Sequence, residues 1–503
     1  MKTYLIKSAA FTFLFTIIFS SCNVSGQERL KKVERFKTKI KTIILLFVIL
    51  IIGSTIRLFA QTEEAKISRA DCEEAIDKIC NLLVQEYIFP IKADSCSHFL
   101  RVQLKNGKYD NATNSEDLAK LLTIDLKKTS RDEHMNVTVK RQNTVEEANP
   151  ESSYYDQISA SIDFSNLFRK YNCAFYKVEH LNGNIGYLDL RGFHPVEFAR
   201  KTAKNAMGFL SGSNAIIIDL RKSLGGDPAT VQLLISYFLD SGIHYASTEW
   251  KGETELDESW TLEEIDGTRM LDVPLIILTG EKTRSAAEAF TYILQSQKRA
   301  KIIGARTIGA GNIGDVFSID ERFEIFIPYG RPICQITLTN WDSKGVIPDI
   351  IVQENEALEI ALKEATEAAR TFQKLRDEKI TLLIERMDSV VFNSESILNG
   401  ADKRFAENHI ISILDSMWDL DILPEAAIEI SGDRCIEMGK IEEAVIVFSY
   451  GVNKYYSSNL FERLAETFMK NGQKELATKN YEKSLELNPD NENAKEMMKS
   501  LKN

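Results

Sequence analysis

The sequence predicts an α/β protein flanked by helical regions, and three observations carry that reading. Between Asn184 and about residue 305, short apolar runs alternate with stretches of helical spacing. One of these runs turns into a helix at Ser285, and beyond Val352 the chain becomes helical and charged. Alternating strand and helix implies a largely parallel sheet covered on its faces, whose ligands gather at the carboxyl ends of its strands.

The 503 residues are too many for one core and suggest roughly three domains. The expected division is a leader over 1–61, a helical cap over 62–140, a linker over 141–164, the α/β core over 165–355 and a helical region over 356–503. The formal charge is −11, but residues 1–60 hold 10 Lys/Arg against 2 Glu, so the remainder is strongly acidic. Such a body argues against nucleic acid as a partner.

The leader holds two export-like segments in tandem. The first is basic at Lys2 and Lys7 and ends in Phe-Ser-Ser-Cys22, like a loose lipobox. The second runs from RLKKVERFKTKIK through the uncharged stretch Thr42 to Ile56 to Ala60. Its apolar core is short for a membrane span and suits a signal peptide. The mature chain is expected to begin near Gln61 in a bacterial periplasm or cell envelope, and attachment to the membrane through the leader is the other reading. The seven Cys show no CxxC or Cys/His ligand spacing, so no metal is expected. Cys72, Cys80 and Cys96 are near enough in sequence for a disulfide, with no pairing readable.

Residues 64–130 fit about three helices, broken at Phe89-Pro90 and at the turn 106–110, with cap candidates at Thr113 to Glu116. His134 follows in a charged turn, Met135 to Lys140 alternates like a strand, and Arg141 to Ser161 reads as a surface link. The core then supplies IGYLDL at 185–190, a helix over Pro195 to Leu210, AIIIDL at 215–220, a helix over Thr230 to Leu239, the strand Leu275 to Thr279, the Ser285 helix, and KIIGA at 301–305. VFSI and FEIFIPY, read as strands, follow a glycine-rich stretch, Gly304 to Gly314.

Ser285 therefore stands where a strand turns into a helix, a common place for an N-cap serine. The first N–H groups of a helix also have no internal partner, so they are placed to receive an oxyanion formed at that serine. Gly225-Gly226 follows the strand that ends in Asp219 and permits a close backbone approach. The turn over 219–227 has neither the GxGxxG nor the GxxxxGK[ST] spacing, which excludes nucleotide phosphate binding there, and no cofactor is expected.

Four stretches in this order, DLRxxxGG at 219–226, TxSAAE at 283–288, GARTIGAG at 304–311 and NWDSKGVIPDI at 340–350, resemble the S41 family of serine peptidases, the C-terminal-processing and tricorn-type group. The segment from Glu86 to Val137 resembles the N-terminal domain of the branch that includes interphotoreceptor retinoid-binding protein. The similarity spans roughly residues 70–355. It implies a crotonase/ClpP-like core, a peptide or protein substrate, Ser285 as nucleophile, the Ala286 N–H and one from Gly225 or Gly226 as oxyanion donors, His134 as base, and Asp342 where tricorn-type members have glutamate.

Two departures stand out. Processing members carry a lysine base where Ala310 stands, and the PDZ domain that they insert between cap and core has no room here. A histidine base predicts a decline in hydrolysis as pH falls through about 7 to 6. A catalytically silent module binding a peptide or an apolar ligand is the alternative from another class.

Near the C-terminus, Gly439/Gly472, Ala444/Ala477 and Phe448/Tyr481 repeat at a spacing of 33. This resembles the tetratricopeptide (TPR) pattern and implies either a groove for a protein partner or a stack that only packs, a scaffold being the third functional class.

Overall fold

The computed structural model describes residues 67–140, 162, 165–389 and 403–501. The leader and most of the expected linker lie outside the described residues. Three helices open the described chain: α1 (Arg69–Glu86), α2 (Pro90–Lys105) and α3 (Ser115–Ser130). Ser68 and Asp71 cap α1 reciprocally, Pro90 occupies the first turn of α2 where a missing N–H costs nothing, and Asn114 Oδ1 accepts the Asp117 N–H of α3 at 2.9 Å.

Two sheets follow. The first, in strand order, contains β11 (Ile350–Ile351), β8 (Ala300–Gly304), β7 (Leu275–Thr279), β4 (Ala215–Asp219), β3 (Ile185–Leu190) and β2 (Phe175–Leu181). All of its pairings are parallel except that between β2 and β3. Every residue of β3, β4 and β7 is buried, as the continuous apolar runs require of strands covered on both faces. Successive side chains alternate between two cores. Ile216, Ile218, Leu275 and Ile277 face α4 (Val196–Leu210), α5 (Pro228–Ile235) and α6 (Ala286–Ser296), while Ile217, Ile276 and Leu278 face α7 (Ala357–Asp388).

The second sheet is antiparallel and was not expected as a unit. It joins β1 (Asn136–Val139), β10 (Phe323–Cys334), β5 (His244–Trp250) and β6 (Asp257–Trp260), with β9 (Ile313–Ser318) also on β10. Its Phe323, Ile325 and Ile327 share one apolar core with Ile76, Leu83, Leu118 and Leu122 of the first three helices. The cap and this sheet therefore bury one another, and the turn carrying His134 is tied to the core through β1.

The helix expected over 230–239 instead spans 228–235. Asp227 Oδ1 accepts the Ala229 N–H at 2.9 Å and Pro228 starts the helix, while residues 236–238 close a tight turn after it. Cys72, Cys80 and Cys96 are buried free thiols, joined by no disulfide.

Helix α7 spans 32 residues, about 48 Å at 1.5 Å per residue. Ala357, Ala361, Ala365 and Ala369 form a stripe of small side chains on the parallel sheet, whereas Leu383 and Met387 belong to the core of the C-terminal helices. The expected division at 355/356 thus falls before a segment that covers the sheet. Beyond it come α8 (Lys403–Asp419), α9 (Glu425–Glu437), α10 (Ile441–Tyr455), α11 (Ser458–Lys470), α12 (Lys474–Leu487) and α13 (Glu492–Leu501). The starts of α9 and α10 recur 33 residues later in α11 and α12; Gly439 and Gly472 both have positive φ, and Ala444, Ala477, Phe448 and Tyr481 are all fully buried. Among the described residues no helix is long and apolar enough to cross a membrane.

Candidate active site

The turn between β7 and α6 is fixed before its serine is reached. Thr283 Oγ1 donates to the Leu220 carbonyl at the end of β4 (2.8 Å) and accepts the Gly280 N–H (2.9 Å), tying adjacent strand ends together. Ser285 then adopts φ 55° and ψ −125°. A non-glycine residue rarely occupies this region, and its strain persists only where the surroundings impose it.

Those surroundings centre on Glu288, one turn into α6. Its carboxylate is fully buried and accepts four hydrogen bonds: from Ser285 N (2.9 Å), Ala310 N (2.9 Å), Gly309 N (2.7 Å) and Thr307 Oγ1 (2.5 Å). Burial pushes its pKa up to about 7 against the downward pull of these donors. One side chain thus clamps the Ser285 turn to the glycine-rich stretch. Sequence reading quoted this glutamate within TxSAAE and gave it no role, although an acid three residues after an N-cap serine is a known signature.

Gly225 lies against the same turn. Its φ is +86°, and a Cβ there would come within 2.7 Å of Ser285 Cβ and 2.9 Å of Ala286 N, so no other residue fits without displacing the serine. Among the described residues none accepts the N–H of Gly225, Gly226 or Ala286. Three donors thus stay free beside Ser285, as an oxyanion requires.

Ser285, Gly226, Ala286 and His134 line one cleft of about 390 Å³. Its other walls are mostly apolar, including Val231, Tyr245, Ile293, Phe326 and Trp341. His134 is buried and stacked on Phe326, with ring centroids 5.4 Å apart. Its main chain is held by Asp132, whose Oδ1 accepts the His134 N–H (3.0 Å) and whose Oδ2 accepts Tyr87 Oη (3.2 Å) and Asn312 Nδ2 (2.9 Å). Asp132 and Asn312 are 180 residues apart, and their bond joins the cap to the stretch that Glu288 clamps.

The imidazole itself makes no hydrogen bond with any described residue, and Nδ1 is buried without a partner. Desolvation, and next the charge of Arg284, hold its pKa down to about 3. The expected decline through about pH 7 to 6 rested on an ordinary imidazole, and burial removes that premise.

Asp342 does not meet His134. Its Oδ1 accepts the Gly311 N–H (3.3 Å) and its Oδ2 the Ser343 hydroxyl (3.1 Å), and it stands outside the cleft lining. Burial and the charge of Asp132 push its pKa up to about 6. Ala310, at the position of the family lysine, is buried, and no lysine lines the cleft among the described residues.

Comparison with known proteins places these residues in a family. Residues 184–352 match the model of peptidase family S41, and residues 63–178 match the N-terminal domain of Peptidase_S41 in eukaryotic IRBP. Carboxyl-terminal-processing peptidase 2, chloroplastic, of Arabidopsis thaliana is 28% identical over 201 residues, covering 38% of this chain and 37% of that protein. The carboxyl-terminal-processing protease of Synechocystis sp. is 27% identical over 184 residues, covering 34% of this chain and 38% of its own length. The matches thus cover little more than a third of these relatives' length. The crystal structure of mature CPAF aligns with 60% of this chain and 96% of its own, at 12% identity and a TM-score of 0.40.

Proposed function

The chain belongs to peptidase family S41, and we propose that it is an exported serine endopeptidase with Ser285 as nucleophile. The observation that carries this reading is the strained backbone of Ser285, held by Glu288 and packed on Gly225 with free N–H donors beside it. In this mechanism Ser285 Oγ attacks the scissile carbonyl and its proton passes to the His134 imidazole. The oxyanion is met by Ala286 N–H and by Gly225 or Gly226 N–H. His134 then returns the proton to the leaving amine, and water releases the acyl group by the same route.

A neutral imidazole is the form that can accept this proton, and burial keeps His134 neutral well below pH 6. The acid decline expected through pH 7 to 6 is therefore not assigned to His134. Asp342 serves as orienting carboxylate only if the imidazole turns towards it when substrate enters; in the resting state it shapes the cleft through Gly311. That disengagement favours the second reading, a catalytically silent binding module. We further read the leader as an export signal and the paired helices α9 to α12 as tetratricopeptide-like repeats that hold a protein partner.

Incubation with casein, an unstructured protein substrate, tests the leading reading by mass spectrometry of the fragments. Fragments that disappear with Ser285→Ala support it, whereas none from the wild type, or the same from both, would support the binding module.

A further inference from the structure

The cleft contains one charge that the chemistry above does not use. Arg284, immediately before the nucleophile, lines the cleft and is half-buried. Its backbone is engaged, with its N–H on the Ser223 carbonyl (3.3 Å) and its carbonyl accepting Ala287 N–H (3.2 Å), but its guanidinium forms no ion pair and no hydrogen bond among the described residues. The other lining residues include no aspartate and no glutamate. The acids adjoining the cleft lining are engaged elsewhere: Glu288 by four donors, Asp132 by Tyr87, Asn312 and the His134 N–H, Asp342 by Gly311 and Ser343, Asp227 by the Val196 and Ala229 N–H groups, and Glu258 by the Trp260 indole.

A guanidinium on an otherwise uncharged, largely apolar wall is a receptor without its anion. Arginine presents a planar fork of donors that suits a carboxylate bidentately, and a half-buried pair of this kind exceeds a surface ion pair in strength. The protein is acidic overall, so a stray cation in its cleft is not explained by a basic surface.

Resting on the peptidase reading above, we propose that Arg284 is a specificity-determining residue that binds a carboxylate of the substrate within one or two residues of the bond facing Ser285. The carboxylate is either a terminal one or an acidic side chain. An arginine side chain reaches about 6–7 Å, the span of roughly two extended residues, which sets that distance from the scissile bond. Charge neutralisation has a second consequence. Arg284 helps to keep the His134 imidazole unprotonated, and a bound carboxylate relieves that repulsion when the imidazole must accept a proton.

The test uses calorimetric binding to the full-length Ser285→Ala protein, so that it does not depend on hydrolysis. Two pairs of peptides are compared, one pair with a free or an amidated C-terminus and one, amidated, with an internal Glu or Gln. At least one carboxylate peptide should bind about tenfold or more tighter than its neutral partner, the scale of a charge-assisted hydrogen-bonded pair. Adding Arg284→Gln should abolish that ratio and leave the neutral peptides within about threefold, which also shows that the cleft is intact. The pair that discriminates identifies the carboxylate's source. Equal affinities within both pairs, a preference that survives Arg284→Gln, or no measurable binding by any carboxylate peptide would overturn the assignment. Fragmentation of casein by the wild type keeps the peptidase reading separate from each of these results.

Discussion

The two halves of the cleft are held in different ways. On the serine side, Thr283, Glu288 and Gly225 fix one turn through short contacts, most within a few residues of Ser285 or across adjacent strand ends. On the histidine side, the backbone is anchored through Asp132, but the imidazole rests on Phe326 and, among the described residues, has no hydrogen bond and an orphaned Nδ1. Ser285 is preorganised by its own motif, whereas His134 is delivered by a distant segment; on the proposed mechanism its imidazole is left to be oriented by what enters the cleft.

Four changes would sharpen or break this contrast. His134→Ala should lower kcat by about a thousandfold or more with little effect on substrate binding, and Ser285 should keep its conformation. Near-normal turnover in that variant would remove His134 from the mechanism. Truncation distinguishes the two ends of α7: a chain ending after residue 389 should fold and stay soluble, whereas one ending after residue 356 loses the alanine stripe and bares Ile217, Ile276 and Leu278. Equal solubility of the two would contradict the packing role of residues 357–369.

Glu288→Gln places an amide NH₂ against donors and leaves at least one buried N–H opposed, a cost of about 1–3 kcal/mol. It should lower both thermal stability and kcat, while Glu288→Asp, which keeps the charge, should lose less. Identical effects from the two would argue against the clamp. The smallest effect concerns pH. Because the folded pKa of Asp342 is raised above its unfolded value, the stability that this group contributes to the wild type is lost as pH rises through roughly 4 to 6. The melting temperature of Asp342→Asn relative to wild type should therefore increase between pH 4 and pH 8; a difference that stays flat or falls would contradict that sign.

Parts of this architecture were legible in the sequence for identifiable reasons. β3, β4 and β7 read directly because both faces are buried and the apolar runs are unbroken. The antiparallel sheet was obscured because β5 buries the polar Ser247 and Thr248 and β6 is short and largely exposed, and because β10 continues through Pro328 and Pro332, residues that ordinarily end a strand reading. Ser285 announced itself through a local motif. His134 needed a pairing between segments far apart in the chain, and the position of Asp342 depends on which loop its carboxylate caps, which no local pattern encodes. Arg284 was overlooked because an arginine in a turn is ordinarily a solvated charge, and only the cleft's composition shows it to be unpaired.

The central claim is that a preorganised Ser285 is the nucleophile. Labelling the purified protein with a fluorophosphonate probe, beside Ser285→Ala and His134→Ala, tests it most directly. The account predicts a covalent adduct on Ser285, none in Ser285→Ala, and much slower labelling in His134→Ala. An unlabelled wild type, or labelling that persists unchanged in Ser285→Ala, would contradict it.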